Sequence, residues 1–133
     1  MSMKVLIVDQ DWRFAEQASA FLEAQAHLVV HLPSSSGVME QVRRWQPDLV
    51  IVADELGLDG LLKSLHSLSP RPAVLLTGWL DRYDRLWRAW QLGGDELLIK
   101  PFFHTDQLQQ AVITARENAT CGTRRIAPAS ASA

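Results

Sequence analysis

The chain has 133 residues, 47% of them hydrophobic, which suits one domain with a buried core and excludes a disordered polymer. Residues 1–117 hold 11 basic and 15 acidic side chains, a net charge of −4, which argues against nucleic-acid binding by this domain itself. The one cysteine, Cys121, excludes an internal disulfide, and no apolar run reaches the about 18 residues of a membrane span. We therefore expect a soluble, cytoplasmic protein that makes no membrane contact.

Five short apolar runs are the predicted strands, at residues 5–8, 28–32, 49–53, 73–76 and 97–99. Most are continuous rather than alternating, which is typical of a parallel sheet covered by helices on both faces. The segments after the strands carry apolar residues at helical spacing, as at Phe14, Ala18 and Leu22 in the first of them. Asp81 is the candidate N-cap of the fourth helix, and Gly93 and Gly94 are its stop signal.

Five strand–helix units with right-handed crossovers leave few arrangements. The commonest small one is an α/β fold with a five-stranded parallel sheet, doubly wound and flavodoxin-like, of strand order 2-1-3-4-5 with five helices. We expect the domain to occupy residues 1–118. From Ala119 the composition shifts to Ala, Ser, Thr and Pro, which predicts a disordered tail or linker over residues 119–133.

Polar residues cluster where the predicted strands end, and this is the sheet edge at which such folds bind ligands. Asp9, Gln10 and Asp11 follow the first strand, and Asp54 and Glu55 the third. Thr77 ends the fourth strand and Lys100 the fifth. Acids that hold a divalent cation, with a lysine and a hydroxyl that hold phosphate oxygens, are suited to phosphoryl transfer onto a carboxylate.

The sequence resembles the receiver domain of two-component response regulators over roughly residues 4–117. The matching stretches are VLIVD at 5–9, PDLVIV at 47–52, LDG at 58–60, LTG at 76–78, GGDE at 93–96 and LIKPF at 98–102. The resemblance implies that Thr77 is the switch hydroxyl, Lys100 the phosphate-binding lysine and Asp9 the first of two paired acids that hold Mg²⁺. It also implies a role in phosphorelay signal transduction, a sensor histidine kinase or other signalling protein as partner, and a possible homodimer through the face of helix 4, strand 5 and helix 5.

Several positions depart from the family pattern. The second paired acid is replaced by Gln10, an Ala stands at the phosphoacceptor position 53, and Asp54 lies one residue late. Asp54 could accept a phosphoryl group only if the strand slipped or bulged by one residue. Leu97 replaces the usual aromatic residue of strand 5. We therefore expect a pseudo-receiver that is not an enzyme, that binds Mg²⁺ weakly or not at all, and that works as a protein-interaction module.

Alternatives stay open at this point. The chain could be a working atypical receiver phosphorylated on Asp54 with Mg²⁺, or a flavodoxin-like cofactor-binding enzyme, although no glycine-rich phosphate-binding motif is present. Asp11 is a metal-ligand candidate that could instead cap the first helix. Lys100 could simply pair with Asp9. The candidate interaction face comprises three residues, Trp79, Trp87 and Leu97, of which the tryptophans are typical anchors at binding sites.

Overall fold

The computed structural model describes residues 2–54, 59–100 and 104–121. The strands are β1 (Lys4–Val8), β2 (Leu28–Leu32), β3 (Leu49–Ala53), β4 (Ala73–Trp79) and β5 (Glu96–Lys100). The helices are α1 (Trp12–Ala24), α2 (Val38–Trp45), α3 (Asp59–His66), α4 (Tyr83–Gly93) and α5 (Thr105–Cys121). The strands form one sheet of order β2-β1-β3-β4-β5, and every neighbouring pair is parallel. The predicted fold is confirmed.

The two faces of the sheet carry separate cores, because successive strand residues point to opposite sides. On one side, Val5 and Ile7 of β1 pack with the buried residues of α1 and α5. On the other, Leu6 and Val8 pack with those of α2, α3 and α4. Burial of each large apolar side chain contributes about 1.5–3 kcal/mol. Alternation along a strand therefore decides which helices a residue at its end will face.

Several element ends differ from the sequence prediction. A single 3₁₀ turn, Leu80–Arg82, precedes α4, so Asp81 lies inside that turn and does not cap the helix; the cap position is Arg82, which makes no side-chain cap hydrogen bond. Helix α5 continues to Cys121, three residues past the predicted boundary at 118, and Ala119 packs against the core. Residues 122–133, where most of the predicted tail falls, lie outside the described residues.

One buried polar network at the amino-terminal ends of the strands was not foreseen from the sequence. The Asp95 carboxylate accepts two hydrogen bonds from the Arg71 guanidinium, at 2.8 and 2.9 Å, and a third from the Val74 N–H at 2.8 Å. The Asn118 side-chain amide donates to the Asp95 carbonyl oxygen at 2.8 Å. The network joins β4, β5 and α5 and fixes the end of the sheet opposite to the candidate site.

Among the residues that the structure describes, no helix is both long and apolar enough to cross a membrane.

Candidate functional site

Four of the predicted site positions lie on the same side of the sheet, facing α1 and α5. Ile7 and Ile51 face that side, so Asp9 and Ala53 follow two residues later with the same orientation. Leu75 and Leu98 likewise place Thr77 and Lys100. The register pairs Ala53 with Thr77 directly. The structure thus brings together the acid, hydroxyl and ammonium that the sequence placed at one edge, with a methyl group between them.

Lys100 is held from several directions and is only 2% exposed. Its Nζ donates to Asp9 Oδ2 at 2.7 Å and lies 3.7 Å from Asp11 Oδ2. The rings of Phe14 and Trp79 lie 4.5 and 5.6 Å from the ammonium, a cation–π arrangement. The ammonium therefore balances the negative charge of the first strand's end, as the simple pairing alternative predicted.

Asp9 and Asp11 are both committed to the local backbone. Asp9 Oδ1 accepts the Asp11 N–H at 2.8 Å. Asp11 Oδ1 accepts the N–H groups of Arg13 and Phe14 at 3.1 and 3.2 Å, so Asp11 is the N-cap of α1. The capping alternative is confirmed, while a metal role for Asp11 stays a prediction.

Asp54 points to the other side of the sheet. Its side chain is 1% exposed, and its Oδ2 accepts a hydrogen bond from Arg85 Nε of α4 at 3.2 Å. A Cβ added at Gly78 would lie 2.9 Å from Asp54 Oδ1, so the absence of a side chain at Gly78 leaves room for this carboxylate. The pairing of β3 with β4 runs without interruption from Leu49 to Ala53. The one-residue slip that would turn Asp54 towards Lys100 does not occur in β3.

Two buried side-chain oxygens in the described part of the chain have no hydrogen-bond partner, Asp54 Oδ1 and Thr77 Oγ1. Both lie at this edge, but the alternation of β3 and β4 puts them on opposite sides of the sheet. An unsatisfied buried polar group costs about 1–3 kcal/mol. The edge therefore has two oxygen atoms free to form further hydrogen bonds, but they face opposite sides of the sheet and could not bind the same group.

The described donors do not fit the Mg²⁺ centre that the resemblance implies. Hard divalent cations require several oxygen ligands. Here Asp9 has both oxygens engaged, Asp11 caps a helix, and Gln10 is exposed. Asp54 faces α4, and over residues 2–54, 59–100 and 104–121 no group of three acidic, histidine or cysteine side chains is arranged to hold a metal. Weak or absent Mg²⁺ binding stays a prediction.

The candidate interaction residues differ in exposure. Trp79 is 36% exposed, beside Lys100. Trp87 is half-buried and stacks between Tyr83 and Trp90, with ring centroids 6.4 and 5.0 Å away, and Leu97 packs against the core on the α2–α4 side. Only Trp79 therefore offers much free surface, and the role of all three in an interface stays a prediction.

Sequence reasoning missed two features of this edge. Arg85 is the partner of Asp54, and no local pattern signals a contact between residues 31 positions apart. The His31 Nε2 donates to the Asp9 carbonyl oxygen at 2.7 Å, and its ring contacts the Trp12 ring edge-on, with ring centroids 4.6 Å apart. Trp12 itself is 66% exposed.

Comparisons with known proteins agree with this architecture. No protein-family model matches the chain. The DNA-binding response regulator MtrA of Mycolicibacterium smegmatis is 30% identical over 105 residues, which are 77% of this chain and 46% of MtrA. The chain belongs to the response-regulator family and is a receiver domain. This receiver spans about half the length of the curated relatives it matches.

Solved structures show the same fold as this receiver. NtrX from Brucella abortus superimposes with a TM-score of 0.81 at 19% identity, over 92% of this chain and 28% of NtrX. A response regulator from Thermotoga maritima superimposes with a TM-score of 0.76 at 20% identity, over 88% of this chain and 99% of that protein. At these identities the likeness concerns the fold alone. The comparisons therefore give the family and the fold of this receiver. What its site can do is argued from the geometry described above.

Proposed function

We propose that this receiver works without phosphorylation, as a protein-interaction module in two-component signalling. It would carry a signal by a change in conformation or in binding, with no chemistry of its own. Its partner would be a sensor histidine kinase or another signalling protein in the cytoplasm. DNA binding belongs to MtrA as a whole protein, and the acidic charge of this domain argues against a direct contact with nucleic acid.

The position of Ala53 carries the proposal. Its side chain is directed to the same side of the sheet as Asp9, Thr77 and Lys100, where a phosphoacceptor carboxylate would be needed, and a methyl group cannot accept a phosphoryl group. The neighbouring acid, Asp54, is turned to the other side and is bound to Arg85. Lys100 supports the same conclusion. Its ammonium already neutralises the Asp9 carboxylate, and without that pairing the negative charge of Asp9 would favour the binding of a metal ion.

The test is the intact mass of the protein after incubation with acetyl phosphate and Mg²⁺. We expect the wild-type chain to gain no mass. A Gln10→Asp/Ala53→Asp variant restores both missing acids and serves as the positive comparison, with circular dichroism to confirm its fold. A wild-type gain of one phosphoryl mass that is lost in Asp54→Asn would refute the proposal.

A second candidate, phosphorylation of Asp54 itself, is favoured by one observation. Asp54 Oδ1 is buried without a hydrogen-bond partner in the described part of the chain. To use it, the end of β3 would have to bulge so that the carboxylate leaves Arg85 and crosses to the side of Lys100. The Asp54→Asn comparison in the same experiment separates the two candidates.

We also propose that partners, including a second copy of this chain, bind at the face of α4, β5 and α5 near Trp79. Trp79 is partly exposed at the end of β4, and Leu80 beside it is 66% exposed. A Leu80→Ser variant should weaken self-association in sedimentation equilibrium without a change in fold. Equal association of wild type and variant would place the interface elsewhere.

A further inference from the structure

A cavity of about 550 Å³ lies at the amino-terminal edge of the sheet, opposite to Asp9 and Lys100. Its walls come from the first residues of β1 and β4, the end of α2, the segments before β3 and before β4, and the last two turns of α5. Ligand sites commonly enclose about 300–1,000 Å³. The cavity is therefore large enough for a small molecule, and Asp9, Ala53, Thr77 and Lys100 are not among the residues that line it.

The lining is strongly basic, although residues 1–117 together are acidic. Cationic side chains enter from β1, α2, the segment before β4, and α5: Lys4, Arg43, Arg71 and Arg116. The only acidic residue among the lining residues is Asp48, whose Oδ2 accepts the backbone N–H of Lys4 at 2.8 Å. Positive charge is thus concentrated around one space.

Much of this charge is unpaired. Arg43 and Arg116 form no ion pair within the described residues. Lys4 Nζ donates to the Trp45 carbonyl oxygen at 2.9 Å, which leaves two of its three N–H groups. Arg71 bonds Asp95 and the Pro72 carbonyl oxygen through its two terminal nitrogens, so its Nε–H stays available.

Stabilisation of helix ends explains only part of this arrangement. Arg43 lies in the last turn of α2, and Lys4 bonds the carbonyl of that helix's last residue, so both complement the negative end of the helix dipole. Arg71 is instead positioned by Asp95, and Arg116 lies more than a turn before the end of α5. Their convergence on the same cavity is not required by the fold.

We propose that this cavity binds a small phosphate-bearing anion. Guanidinium groups match phosphate oxygens through pairs of parallel N–H donors, and three arginines line the space. Val42, Leu68 and Pro70 form an apolar part of the wall, against which an organic group attached to the phosphate can pack. This proposal is independent of the state of the phosphorylation site.

The test is a titration of the ¹⁵N-labelled full chain with inorganic pyrophosphate, followed by amide shifts at constant ionic strength. We expect saturable shifts that centre on residues 43, 48, 71 and 116. Arg43→Gln and Arg116→Gln should each weaken binding about tenfold, the effect of losing one charge-assisted contact. The matched control is Arg44→Gln, an exposed arginine next to Arg43 that does not line the cavity and should bind like wild type.

Two outcomes would overturn the proposal. One is a set of scattered shifts that do not saturate, and the other is an Arg44→Gln variant that loses as much affinity as Arg43→Gln. Either would mean diffuse attraction of anions to the surface. A parallel titration with ADP distinguishes the ligand's source: tighter binding than pyrophosphate supports an organic phosphate, and equal binding supports an inorganic one.

Discussion

The Lys100 ammonium lies 2.7 Å from the Asp9 carboxylate, although β5 and β1 are separated in the sheet by β3 and β4. The pair spans the ends of the two intervening strands, where Ala53 and Thr77 present small side chains. Asp9 is fully buried. Buried ion pairs add little net stability, but removal of one partner is costly because the other charge stays buried.

Lys100→Met should therefore destabilise the domain by about 3–5 kcal/mol in urea unfolding, since Asp9 would lose its counter-ion. The addition of Asp9→Asn to this variant should recover part of the loss, because the remaining buried group is then neutral. If Lys100→Met alone lowers the free energy of unfolding by less than about 1 kcal/mol, Asp9 is well hydrated, contrary to its burial.

Thr77→Val should be neutral or should stabilise the domain by about 1 kcal/mol. The Thr77 hydroxyl is buried without a partner in the described part of the chain, and valine keeps its shape while removing the unsatisfied group. Thermal or urea unfolding measures the difference, with Thr105→Val at the exposed start of α5 as the control. Marked destabilisation by Thr77→Val would reveal a hydrogen bond that the structure does not contain.

Arg85→Ala should cost about 1–3 kcal/mol, because it leaves the buried Asp54 carboxylate without its partner. Arg88→Ala removes an exposed arginine one turn further along α4 and should change stability by less than about 0.5 kcal/mol. The two unfolding curves give the comparison directly. Equal effects would mean that the Asp54–Arg85 contact contributes nothing specific.

Glu96→Gln should stabilise the domain at neutral pH. Burial raises the pKa of the Glu96 carboxyl above 4.5, and the hydrogen bond from the Leu97 N–H only partly opposes this. The folded state therefore holds its proton more tightly than the unfolded state. The free energy of unfolding therefore falls as the pH rises from the pKa of Glu96 in the unfolded state to its higher pKa in the folded state. Above the folded-state pKa this loss of stability remains.

Thermal unfolding of both proteins at neutral pH and at a pH well below 4.5, the ordinary pKa of a glutamate carboxyl, checks this expectation. The advantage of the glutamine variant should disappear at the lower pH, where Glu96 is protonated in both states. An advantage that is the same at both pH values would assign the effect to packing instead of charge.

The sequence by itself determined the order of elements, the parallel sheet and the residues at its carboxyl edge. These follow from local patterns: continuous apolar runs, helical spacing, and polar residues at strand ends. The Asp11 cap and the pairing of Lys100 with Asp9 were also within its reach, because parallel strands end at one edge. The sequence further showed that Asp54 would face away unless β3 slipped by one residue.

Only the tertiary structure decided that β3 keeps its register and that Arg85 donates a hydrogen bond to Asp54, whose carboxylate lies beside Gly78. It alone revealed the Arg71–Asp95 network and the basic cavity next to it. Each of these depends on contacts between residues tens of positions apart. Periodic apolar residues show which face of a helix packs on the sheet, but no local pattern shows which polar residues of distant elements will meet.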